Sequence, residues 1–262
     1  MIKSTREMIN IKKRWLVGLL TIVVSISAPI TAYADMINGT GLVTPDIIFG
    51  SGNGNGGFTG ETNNNIEVGL RAKQRYPAAD IFNYDGIDTY IFDSTVLNTN
   101  PANRSVFNFE WSINVDQNGS SGMKLDDFIY VFSFDTDPSA AIAYASTDPF
   151  NTPGWYDHSL GDNSTGNGGG IESADNADLL INMADFSVAQ QSANLGFGFS
   201  GDPDLPGAYN FMMQVFNVNR ELLSFAEISV LVTPFDVPTP ATASLLLAGM
   251  GLLAFRGRKK QK

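Results

Sequence analysis

Apolar and polar residues alternate most cleanly over residues 107–115. Phe107, Phe109, Trp111, Ile113 and Val115 fall on one face, and Asn108, Glu110, Ser112 and Asn114 on the other. A period of two marks a β-strand with one face in a core. Residues 66–72 (IEVGLRA) repeat the pattern, and 128–134 (FIYVFSF) form a denser strand expected to be buried on both sides. Between them, residues 116–127 hold Asn118-Gly119 and Gly122, which tolerate positive φ, so a hairpin is expected there. Further strands are expected at 194–200, 209–218 and 222–232, with Asn219 and Arg220 turning the last two. One short helix is expected within 175–186. The Gly- and Asn-rich stretches 50–60 and 162–170 are expected to be exposed, mobile loops. This spacing of strands and turns predicts an all-β fold, an antiparallel β-sandwich of jelly-roll or Ig-like type.

Both ends depart from this pattern. Lys3, Arg6, Lys12, Lys13 and Arg14 precede an apolar stretch at 15–26, and Ala32-Tyr33-Ala34 places small residues where a signal peptidase reads. Residues 1–34 are therefore expected to be a signal peptide cleaved before Asp35. At the other end Val237-Pro238-Thr239-Pro240 breaks regular structure ahead of an uncharged run at 241–255, which Arg256, Arg258, Lys259, Lys260 and Lys262 close. That run is short for a full membrane span, which takes about 20 residues. Its basic flank is expected to stay cytoplasmic.

Residues 237–262 resemble the PEP-CTERM sorting signal of bacteria, with Thr239 where the name-giving Glu usually sits. The resemblance implies processing near the Pro-x-Pro motif by an exosortase, after transient anchoring in the inner membrane. It also implies a Gram-negative-type host that makes exopolysaccharide, with the product in the cell envelope or extracellular matrix. Residues 49–58, 108–114 and Lys124-Leu-Asp-Asp127 are similar to mature regions of PEP-CTERM-domain proteins. Nothing catalytic carries over from that likeness.

Charge changes the picture of what lies between the ends. Residues 35–236 keep six Lys and Arg against 26 Asp and Glu, a net charge of −20 with His neutral. A body this acidic repels nucleic acid and anionic lipid and suits divalent cations or basic partners. With no cysteine, disulfides, thiol nucleophiles and Cys-ligated zinc are excluded. His158 is the only histidine and lies in a polar loop, where a surface position is expected. No G-x-S-x-G elbow or phosphate-binding G-x-x-x-x-G-K-[ST] loop is present. Paired acids (Asp126/Asp127, Asp135/Asp137, Asp202/Asp204) are too common in this composition to identify a hydrolase, so no enzyme is expected.

Two binding readings remain. Asp116, Asn118, Ser120 and Asp127 echo the 1-3-5-12 spacing of a calcium loop, although Ser121 replaces the Gly at position six and the hairpin accounts for the same residues. Asn151, Trp155, Tyr156 and Asp157 form a candidate glycan patch, since sugars stack on aromatic rings beside amide and carboxylate groups. A structural or adhesive surface role associated with exopolysaccharide is expected, with a carbohydrate-binding module as the alternative.

Overall fold

The computed structural model describes residues 37–74, 81–87, 89–94, 104–135, 137–139, 141–197 and 205–233. The expected signal peptide with Ala32, Ala34 and Asp35, the Val237-Pro238-Thr239-Pro240 motif, the apolar run after it and the Asp202/Asp204 pair lie outside these residues. Among the described residues no helix is long and apolar enough to cross a membrane.

The fold is mostly β. Its strands are β1 (Ile37–Gly41), β2 (Phe58–Asn63), β3 (Ile66–Gln74), β4 (Thr89–Asp93), β5 (Phe107–Asn114) and β6 (Ile129–Asp135). Further along come β7 (Tyr144–Thr147), β8 (Ser159–Gly161), β9 (Ile171–Glu172), β10 (Val188–Asn194), β11 (Gly207–Phe216) and β12 (Leu222–Thr233). One sheet has the order β1-β2-β3-β5-β10-β8-β9 and the other β4-β12-β11-β6-β7. All pairs are antiparallel except β4 with β12. Among the described residues the one α-helix, α1 (Asn176–Met183), falls within the expected span 175–186. Asp175 caps it by accepting from the Ala177 and Asp178 amides.

The two sheets face each other across an aromatic core. From β5, Phe109 lies 5.4 Å from Phe132 of β6 and 4.7 Å from Phe211 of β11, while Phe107 stacks on Phe92 of β4 at 5.4 Å. The β11–β12 hairpin is as expected, turning through Asn217, whose side chain accepts from the Asn219 and Glu221 amides.

Four expectations need correction. Residues 116–127 do not form a hairpin, because β5 pairs with β3 and β10 while β6 pairs with β11 and β7 in the opposite sheet. The expected positive φ is present, with Gly119 and Gly122 both at 69°. Turn residues report local backbone geometry and carry no information on which strands pair. The strand expected at 194–200 lies earlier, in β10, and Leu195–Phe197 is a 3-10 turn.

The third correction concerns the polar faces of β3 and β5, which are buried along with their apolar faces. Residues 42–57 roof them. Thr44 donates through its amide and hydroxyl to Glu67, Asn114 donates to the Thr44 carbonyl, and Gln190 accepts from the Ile48 amide. Alternation shows which face is apolar; it does not show whether a loop covers the other.

The fourth adds to an expectation that holds in part: the two glycine-rich stretches are exposed or half-exposed over 50–57 and 162–170, and they are tied to each other as well as to the sheet. The Gly52 amide donates to Asn167 Oδ1, whose side-chain amide donates back to the Asn53 carbonyl. The Gly168 and Gly170 amides bond the Ile47 and Ile48 carbonyls. At Gly168, φ is 67° and an added Cβ would meet Ser51 backbone at 2.6 Å, so glycine is required there.

Candidate functional site

A cleft of about 530 Å3 opens beside the edge strand β7. Three segments build it. Phe134 comes from β6, Ala145, Ser146 and Thr147 from β7, and Thr152, Gly154, Trp155 and Asp157 from the loop before β8. Phe197, 58% exposed at the end of the 3-10 turn, closes one side. The loop is held from below: Asn176 accepts from the Gly154 amide and donates to the Thr152 carbonyl, and the Thr147 and Thr152 hydroxyls bond each other at 2.6 Å.

Trp155 stands half-buried on a stack of rings. Its centroid is 5.9 Å from Phe132 and 5.5 Å from His158, in an edge-on contact. His158 is fully buried, contrary to the surface position its polar neighbours suggest. Trp111 of β5 at 5.1 Å and Phe150, earlier in the same loop, at 5.4 Å enclose it. The Pro149 carbonyl lies 2.9 Å from Nε2 and can only accept, so Nε2 carries the proton and Nδ1 faces Gln191 Nε2 at 3.4 Å. The same Gln191 nitrogen donates to Asp157 Oδ1 at 2.9 Å, which fixes that carboxylate at the cleft margin.

Burial holds the His158 pKa below its ordinary 6.5, against the smaller opposing pulls of the Pro149 carbonyl and Asp157. The folded state therefore takes up this proton later than the unfolded state as pH falls. His158 leaves stability unaffected well above pH 6.5. Below that it destabilises the fold by up to about 1.4 kcal/mol per pH unit until the folded form itself protonates. Urea midpoints between pH 7.5 and 5.5 should show this slope. His158→Gln, which keeps a donor for Pro149 and does not titrate, should flatten it.

The structure places the expected glycan residues unequally. Trp155 and Asp157 line the cleft; Asn151, exposed, donates its amide to the Asp148 carbonyl, and Tyr156 packs toward the core. Phe134, Phe197, Thr147 and Thr152 complete the site and were not singled out from the sequence.

The expected calcium residues serve the loop between β5 and β6. Asp116 Oδ1 accepts from Asn65 Nδ2, the Ser120 and Ser121 amides and the Ser121 hydroxyl, and Oδ2 accepts from the Gly122 amide. Burial pushes its pKa up, but these hydrogen bonds outweigh it and lower the pKa to about 2. Asn118 accepts from the Ser120 amide, and Asp127 caps Lys124. Among the described residues no three His, Asp or Glu side chains converge on a common point. A metal at Asp116 would have to displace donors already in place. Asp135 and Asp137 also serve turns, accepting from the Asp137, Ala143 and Ser139 amides.

No protein-family model matches the chain, and no curated protein matches it.

Proposed function

We propose that this is an exported, exosortase-processed protein of the cell surface or extracellular matrix. Its two sheets form a β-sandwich that holds exopolysaccharide in the Trp155 cleft, acting by binding and not by catalysis. One observation carries the reading. Three aromatic side chains (Phe134, Trp155, Phe197) line a single open cleft together with the Thr147 and Thr152 side chains and a carboxylate fixed by Gln191. The apolar face of a pyranose packs on such rings, while its hydroxyls need donors and acceptors at the margin. The sorting signal's resemblance supplies the context, and the −20 body favours a neutral glycan over a strongly anionic one.

Retention of the protein on exopolysaccharide from a producing host tests the reading. Trp155→Ala should weaken binding by about 2 kcal/mol, roughly thirtyfold. Phe197→Ala removes an exposed ring at little cost to folding and should weaken it in the same direction. Retention of Trp155→Ala equal to wild type would remove the cleft from the account; no retention of wild type would leave a purely structural surface protein.

A further inference from the structure

Beneath the roof of residues 42–57, three side chains from three separate segments meet. Lys73 of β3 is 3% exposed, and Glu110 of β5 is fully buried. Lys73 Nζ lies 2.9 Å from Glu110 Oε1 and 2.7 Å from Oδ1 of Asn53, in the roof. The Asn53 amide nitrogen donates to the Phe49 and Gly50 carbonyls at 3.1 and 2.8 Å, which turns the oxygen toward the lysine. Arg71 fixes the other side. Its Nε and Nη2 each lie 2.6 Å from Glu110 Oε2, and Nη1 donates to the Gly54 and Gly56 carbonyls. Phe58 lies under the guanidinium, and Phe49 is 5.9 Å from Nζ.

The geometry points to a spontaneous intramolecular isopeptide bond between Lys73 and Asn53, with Glu110 as the proton carrier. The Lys73 ammonium gives a proton to Glu110 Oε1, and the free amine adds to Asn53 Cγ to form the new C–N bond. Glu110 passes that proton to the asparagine nitrogen, and the bond from Cγ to that nitrogen breaks as the carbonyl re-forms. Ammonia departs and takes up the second proton from Nζ, so an ammonium ion is released and Glu110 returns to carboxylate. No outside reagent is needed.

Several features favour the step. A buried lysine is a competent nucleophile once deprotonated, and a proton carrier at 2.9 Å is within hydrogen-bond reach. Amine and amide are held together by two folded segments, which replaces a bimolecular encounter with a positioned one. After reaction Arg71 still pairs with Glu110, so the carboxylate is not stranded. The linkage would staple the glycine-rich roof to the sheet in a chain that has no cysteine to do it by disulfide.

Peptide mass mapping of the full chain decides the matter. Glutamyl endopeptidase cuts after Glu61 and Glu67, which separates Asn53 from Lys73. Wild type should yield the peptide ending at Glu61 joined to the Val68–Glu110 peptide, lighter by one ammonia than the two together. Asn53→Ala, in a partly exposed loop, should fold and release the two peptides separately, as should Glu110→Gln. Unjoined wild-type peptides of full mass would overturn the proposal. So would loss of ammonia confined to the Asn53 peptide, since that is succinimide formation at Asn53-Gly54.

Discussion

Glu110→Ala is expected to lower folding stability by about 3–5 kcal/mol. The carboxylate is fully buried and receives Arg71 through two nitrogens at 2.6 Å, with Lys73 Nζ at 2.9 Å. Deleting it leaves the Arg71 guanidinium, itself fully buried, without its counter-charge. The Arg71 contacts to the Gly54 and Gly56 carbonyls would then have to support the charge alone. A loss of this size is a large fraction of the roughly 5–15 kcal/mol that stabilises a typical domain. Chemical denaturation should show it as a lower midpoint at unchanged slope. A change under about 1 kcal/mol would mean that water reaches the Arg71 site and that the roof is not closed.

Trp111→Ala is expected to cost a further class of stability, about 3–5 kcal/mol, for a different reason. Its ring is fully buried and sits against Phe150 at 5.9 Å and His158 at 5.1 Å, directly below the Trp155 loop. Truncation leaves a cavity that the rigid strand β5 cannot collapse to fill. The effect should reach the cleft, because His158 would lose a wall and Trp155 rests on His158. Glycan affinity of the folded fraction should therefore fall along with the denaturation midpoint. A full stability loss with unchanged affinity would show that the Trp155 platform stands without its support.

The fold was legible where one strand carried its own evidence. The alternation at 107–115 located β5 and its inward residues, and Asn219-Arg220 located the last hairpin. The short strands β7, β8 and β9, of four, three and two residues, are too brief to show a period. The buried polar layer leaves no local signal: Glu67 and Arg71 look solvent-facing until Thr44, Gly54 and Gly56 arrive from residues 42–57, and Glu110 until Arg71 and Lys73 pair with it from β3. Pairing between sheets was likewise invisible at 116–127, since the turn there bridges two layers instead of reversing one strand onto its neighbour.

The site was legible in part for similar reasons. Trp155 and Asp157 stand out as an aromatic and an acid among turn residues. Phe197 falls within the strand expected at 194–200 and Phe134 within the buried strand expected at 128–134, and neither position signals a cleft. The polar neighbours of His158 point to the surface, while its burial comes from Trp111 on a distant strand and from Phe150, which its own loop folds back onto it. The Lys73–Glu110–Asn53 cluster joins residues 20 and 37 positions apart from Lys73, a separation no local motif records.

Tryptophan fluorescence during titration with exopolysaccharide fragments tests the central claim most directly. The chain has three tryptophans, of which Trp111 is fully buried and Trp15 falls in the expected signal peptide, outside the described residues. A saturable change in emission is expected for wild type and should vanish in Trp155→Phe. Saturable binding that leaves the emission unchanged, or a change that persists in Trp155→Phe, would contradict a glycan seated in this cleft.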